Sequence, residues 1–125
     1  DVLHLYQAVG WTNYTHQPQM LEKALSHSLA IYLALDGNAV VGLVRLVGDG
    51  FSSIFVQDLI VLPTYQHQGI GSALMKEALG DYKDAYQVQL VTEQTEKTLG
   101  FYRSLGFETL STYDCTGMIW VNRKK

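Results

Sequence analysis

Two glycines spaced G-x-G, Gly69 and Gly71, stand where the polar turn Gln66, His67, Gln68 passes into the apolar, helix-patterned run "GSALMKEAL". A helix start leaves its first N–H groups unpaired and concentrates about half a positive charge there, so it seats an anion if the backbone can come close. Glycine permits that approach because it has no Cβ. The residues leave two readings open, a tight structural turn and a phosphate seat. The stretch lacks the third glycine of the dinucleotide fingerprint and the Gly-Lys-Ser/Thr of a P-loop. A second chemical signal is Asp58, which interrupts the apolar run "SIFVQDLIVL". A carboxylate in such a strand is costly unless it is paired or functional, so Asp58 is either a hydrogen-bonded structural aspartate or a candidate base. The histidines His4, His16, His27 and His67 show no metal-ligand spacing, and no metal is expected.

The elements that must position these residues follow from periodicity. Helical spacing in "DVLHLYQAV" predicts a first helix, and Pro18 opens a second in "PQMLEKALSHS". "LAIYLAL", the turn signal "DGN" and "AVVGLVRLV" predict a hairpin, with "SIFVQDLIVL" as the next strand, stopped by Pro63. In the helix after the glycine turn, Ile70, Ala73, Leu74 and Ala78 form the expected docking stripe. "QVQLVT" reads as a strand, "EKTLGFYRSLG" as a helix closed by Gly106 in a left-handed position, and "FETLST" and "GMIWVN" as two final strands. The order α-α-β-β-β-α-β-α-β-β predicts an α+β fold, a mixed sheet flanked by helices.

A chain of 125 residues with 47% hydrophobic content fits a single domain, residues 1–125, with one core. Its net charge of -3 argues against nucleic acid as the main partner. The lone Cys115 is expected to be a small buried hydrophobe, which fits a reducing cytoplasm. No apolar run approaches a membrane span. The chain opens at Asp1 inside an amphipathic pattern, from which preceding residues are expected in the native protein.

"LIVLPTYQHQGIGSALM" resembles the central motif of the GNAT superfamily of acyl-CoA-dependent N-acetyltransferases, and "FYRSLGF" resembles the F-Y-x-x-x-G-F that ends that domain. The resemblance covers essentially the whole chain. It implies a splayed sheet with acetyl-CoA lodged between the strand ending at Leu62 and the strand over residues 87–92, and a family first strand for which this chain has no residues. The diphosphate would then sit on the amides of Gln66, His67, Gln68, Gly69, Ile70, Gly71 and Ser72. The pantetheine arm would pair with main-chain groups of Leu59, Ile60 and Val61.

Acetyl transfer to a primary amine needs a proton acceptor, an N–H for the oxyanion and an acid for the departing thiol. An amide near Val61 is the candidate oxyanion donor. Tyr102 falls at the position of the family's usual acid tyrosine, and a reference pKa of about 10 keeps it protonated at neutral pH. A packing tyrosine is the competing reading. Asp58 is the candidate base, with Glu93 and ordered water as alternatives. Many relatives place an asparagine seven residues before the tyrosine to hold the pantetheine arm; here Thr95 stands there and Thr98 follows. A hydroxyl presents less than an amide does.

Trp11, Tyr14, Tyr113 and Trp120 are candidates for an acceptor pocket through cation–π contact, or else ordinary core. The acceptor itself is left open among small amines, polyamines, amino acids and peptides. Two other functions compete with the enzyme: a non-catalytic acyl-CoA sensor on the same fold, and a protein-interaction domain. Pairing of the terminal strand edges across a twofold axis would give a homodimer.

Overall fold

The computed structural model describes residues 2–122, which fall into two compact units that divide between Val91 and Thr92. In the first unit, α1 (Leu3–Ala8), α2 (Thr12–Thr15) and α3 (Pro18–Ser26) precede β1 (Ala30–Asp36), β2 (Ala39–Gly48) and β3 (Ser53–Val61). A 3-10 turn (Pro63–Tyr65), α4 (Ile70–Asp81) and β4 (Gln87–Leu90) complete it. The strands lie in the order β1-β2-β3-β4, antiparallel up to β3 and parallel between β3 and β4. The short α2 falls where the sequence pattern predicts only a break.

Every residue from Val41 to Leu46 in β2 is buried apart from the glycine's missing side chain, because helices cover both faces of the central strand. On one face Leu5, Tyr6, Leu21, Leu43 and Ile60 form the core, with Trp11, Tyr14 and Leu25 packed against it. On the other, α4 buries Leu74, Met75 and Ala78. Ala73 is exposed, so the expected stripe is corrected: the helix turns Met75 rather than Ala73 to the sheet. A Cβ on Gly42 would lie 3.2 Å from Leu74 Cδ1, which shows how closely α4 rides on β2.

Two features of β3 shape its side of the sheet. Arg45 pairs with Asp58 but Leu46 pairs with Val56, so Gln57 is an extra residue on β3, a β-bulge. The parallel pairing with β4 also ends at Val56 and Leu90. From Gln57 onward β3 therefore runs on without β4 beside it, which is the splay the sequence reading anticipates.

In the second unit, Thr95 caps α5 (Glu96–Ser104) by accepting from Thr98 N at 3.2 Å. The helix closes as expected: Gly106 takes φ 100°, its N–H donates to Arg103 O and that of Phe107 donates to Tyr102 O. The two final strands are not formed. Leu110–Tyr113 is a 3-10 turn and no described residue after it joins a ladder. Thr109 bonds its hydroxyl to that of Ser111 at 2.9 Å, and Cys115 N returns to Leu110 O, so local side-chain and turn bonds replace strand pairing. The edges assigned to a homodimer are thus absent as strands among the described residues. Cys115 is exposed, not buried, because this turn lies at the surface.

Candidate functional site

The splay leaves one edge of β3 open. Leu62 N donates to Val41 O, so the main chain of Leu62 points to β2. Main-chain direction alternates along a strand, which turns Ile60 toward β2 and Leu59 and Val61 toward the free edge. The expectation that Ile60 also offers main-chain groups to a ligand therefore meets a geometry in which β2 holds them. On the free edge Val61 O accepts from Gln66 Nε2 at 3.0 Å.

The turn beyond is fixed from below and open above. Tyr65 donates its hydroxyl to Asp36 Oδ2 at 2.6 Å, tying the turn to the β1–β2 hairpin. His67 takes φ 65° and Gly69, the residue before α4, takes φ 82°. No side chain caps α4, and a Cβ built on Gly69 would meet nothing within 4 Å. Gln66, His67, Gln68 and Gly69 are exposed, while Ile70, Gly71 and Ser72 are half-buried at the first turn of the helix. Gln66 N donates to Pro63 O at 3.4 Å, so the expected role of that amide is corrected, and the anion seat narrows to the amides that follow it at the start of α4. Gly69 is thus explained by its left-handed backbone, not by a clash within the chain.

Asp58 is the centre of a buried polar cluster. It is 3% exposed. Its Oδ2 accepts from Arg45 Nε at 2.7 Å and from the Tyr6 hydroxyl at 2.9 Å, and its Oδ1 accepts from the Tyr14 hydroxyl at 3.2 Å. Arg45 extends through Nη1 to Ser28 Oγ at 3.1 Å and through Nη2 to Tyr14 at 3.3 Å. Burial pulls the guanidinium pKa down, but the hydrogen bond and charge of Asp58 more than offset it, and Arg45 stays charged. Burial, and then the charge of Asp58, push the Tyr6 phenol well above its ordinary range. Charge is therefore balanced inside the cluster and every partner is satisfied. The sequence signalled Asp58 but not Arg45, Tyr6 or Tyr14 as its partners.

Trp11 and Tyr14, expected in an acceptor pocket, pack edgewise on Tyr6, with ring centroids 6.0 and 5.2 Å away. Tyr113 and Trp120 lie in the second unit and are exposed. Tyr102, also in the second unit, is held between Phe101 and Phe107 at centroid distances of 4.9 and 5.9 Å. Burial raises its pKa and a hydrogen bond with Thr92 opposes this, leaving the phenol protonated throughout the neutral range. Thr95 uses its hydroxyl as a helix cap and donates it to Thr98 Oγ1 at 2.9 Å. Among the described residues no group of three or more His, Cys, Asp or Glu could hold a metal ion, and no helix is long and apolar enough to cross a membrane.

A splayed mixed sheet with a glycine turn at the end of the free-edged strand defines a class. The acetyltransferase (GNAT) domain family matches residues 27–109, and the chain belongs to that family. Among solved structures, a GNAT-family acetyltransferase of Streptococcus pneumoniae TIGR4 is 80% identical with a TM-score of 0.89, the match covering 98% of this chain and 89% of that one. Serotonin N-acetyltransferase 2 of rice, a chloroplastic protein, is 30% identical over 73% of this chain and 48% of its own length. GCN5-related N-acetyltransferase 1 of Arabidopsis thaliana, also chloroplastic, is 30% identical over 97% of this chain. The chain spans 48% and 61% of the length of these two curated relatives.

Proposed function

We propose that this chain is an N-acetyltransferase that moves an acetyl group from acetyl-CoA to a primary amine by direct attack. The observation that carries the reading is the continuity of the free edge of β3, at Leu59 and Val61, with the uncapped amide turn at residues 66–72. A pantetheine arm carries amides that can add to such an edge, and a diphosphate suits the turn that follows. Edge and turn are one ligand seat in two parts, while the Thr95 hydroxyl is already donated to Thr98 Oγ1.

In the reaction the amine nitrogen bonds to the thioester carbon, an edge N–H at Val61 stabilises the oxyanion, and the C–S bond then breaks. Tyr102 gives its proton to the departing thiolate. The proton that the ammonium sheds before attack passes to Asp58, and the second, shed as the C–N bond forms, leaves through water, which also returns a proton to Tyr102.

The test is thiol release from acetyl-CoA with an amine panel of ethylamine, tryptamine, spermidine, lysine and a lysine-containing peptide. The name of the rice relative adds serotonin. Turnover with at least one amine is expected, and Tyr102→Phe should lower kcat by roughly 10²–10⁴-fold while coenzyme binding persists. Binding without turnover would make the chain an acyl-CoA sensor. No thermal shift with coenzyme at all would favour an interaction domain.

A further inference from the structure

Asp58 cannot meet a dissolved amine directly. It is 3% exposed, and two of its three side-chain partners, Arg45 and Tyr6, are themselves 4% and 0% exposed. The third, Tyr14, is half-buried and touches the surface through Gln57, whose Nε2 donates to the Tyr14 oxygen at 3.4 Å. Gln57 is exposed, and it is the bulge residue at which β4 leaves β3. At 3.4 Å its bond is the longest of the three that Tyr14 makes in the cluster and the one most easily replaced. Arg45 cannot drift away with it, because Ser28 Oγ holds its other terminal nitrogen.

We propose that Tyr14 is the proton relay between the acceptor amine and Asp58, with Gln57 marking the place the amine takes. The proposal rests on the acetyl-transfer reading. A protonated amine displaces the Gln57 amide and donates an N–H to the Tyr14 oxygen. As that proton moves onto Tyr14, the hydroxyl hydrogen of Tyr14 moves to Asp58 Oδ1. The amine is left neutral, Tyr14 is restored and Asp58 becomes a carboxylic acid. The positive charge of the ammonium and the negative charge of Asp58 cancel, and Arg45 remains as a fixed cation. The neutral amine then attacks, the second N–H proton leaves to water as the amide forms, and the proton on Asp58 returns through the same hydroxyl to water. The titratable and charged groups that touch the carboxylate are Tyr6 from α1, Tyr14 from α2 and Arg45 from β2. Of these only Tyr14 is both a hydroxyl and within reach of an amine at the bulge.

The experiment is the pH profile of kcat/KM, from pH 6 to 10, for unaltered protein, Tyr14→Phe and Gln57→Ala, with ethylamine or any other panel amine that turns over. Tyr14→Phe should lose about 10²-fold at pH 7. The deficit should close as pH approaches the pKa of the amine, since an amine already neutral needs no relay. Gln57→Ala should raise kcat/KM, because no amide has to be displaced. A Tyr14→Phe deficit that stays constant across the pH range would overturn the relay, as would unchanged activity. Should Tyr14→Phe not fold, as judged by its thermal melt, Gln57→Ala decides alone: a rise supports the relay and a fall contradicts it. No turnover by unaltered protein with any panel amine removes the acetyl-transfer reading, and the relay with it. Normal turnover with a pH-independent Tyr14→Phe deficit removes the relay alone.

Discussion

Tyr6 donates its hydroxyl to a carboxylate in the core, and that choice ties stability to pH. Burial and the Asp58 charge raise its folded pKa above the unfolded value of about 10. The stabilisation is thus fully present below pH 10 and is lost as pH rises through the folded value. In that window the folded state holds a proton the unfolded chain has released, so unfolding free energy falls by up to about 1.4 kcal/mol per pH unit. Denaturant titrations between pH 9 and 11 should show a shallower decline for Tyr6→Phe than for the unaltered chain. Equal slopes would mean that Tyr6 carries no such linkage. At this scale the sequence is half legible. A carboxylate inside an apolar run announces itself, but its partners lie 13, 44 and 52 positions away, and no local pattern encodes that convergence. Thr95 shows the converse: the family resemblance leads one to look there for an asparagine that holds the pantetheine arm, and the structure shows a threonine that caps a helix.

At the scale of elements, the strands of the first unit were legible because alternation, turn residues and burial agree. Gly48 shows how strictly one turn is specified. It takes φ 129°, and an added Cβ would lie 2.2 Å from Ser53 O and 3.0 Å from Ile54 Cα. Asp49 completes the turn by accepting from the amides of Phe51, Ser52 and Ser53. Gly48→Ala should therefore destabilise the chain by roughly 3 kcal/mol in chemical denaturation, and a change under about 0.5 kcal/mol would show that the turn can relax. The bulge at Gln57 left no composition signal, since an extra residue in a ladder is defined by the partner strand. The terminal strands failed for a related reason. "FETLST" and "GMIWVN" carry strand-forming residues, but propensity does not supply a partner, and threonine and serine hydroxyls close a local turn instead. In α4, helical spacing gave the right helix and only part of its buried face.

For the whole molecule, the family resemblance read from two motifs is matched by the family assignment over residues 27–109 and by the splay of the sheet. Both parts of the proposed coenzyme seat, the β3 edge and the amide turn, belong to the first unit, and the proposed acid Tyr102 belongs to the second. With a net charge of -3, the proposed phosphate seat draws on local amides and helix polarity, not on a basic surface. In the proposed mode these amides receive the diphosphate of acetyl-CoA, and a crystal structure of the chain with saturating acetyl-CoA tests this most directly. Diphosphate oxygens are expected about 2.7–3.2 Å from main-chain nitrogens within residues 66–72, and pantetheine amides on Leu59 and Val61. A coenzyme bound elsewhere, with that turn occupied only by water, would contradict it.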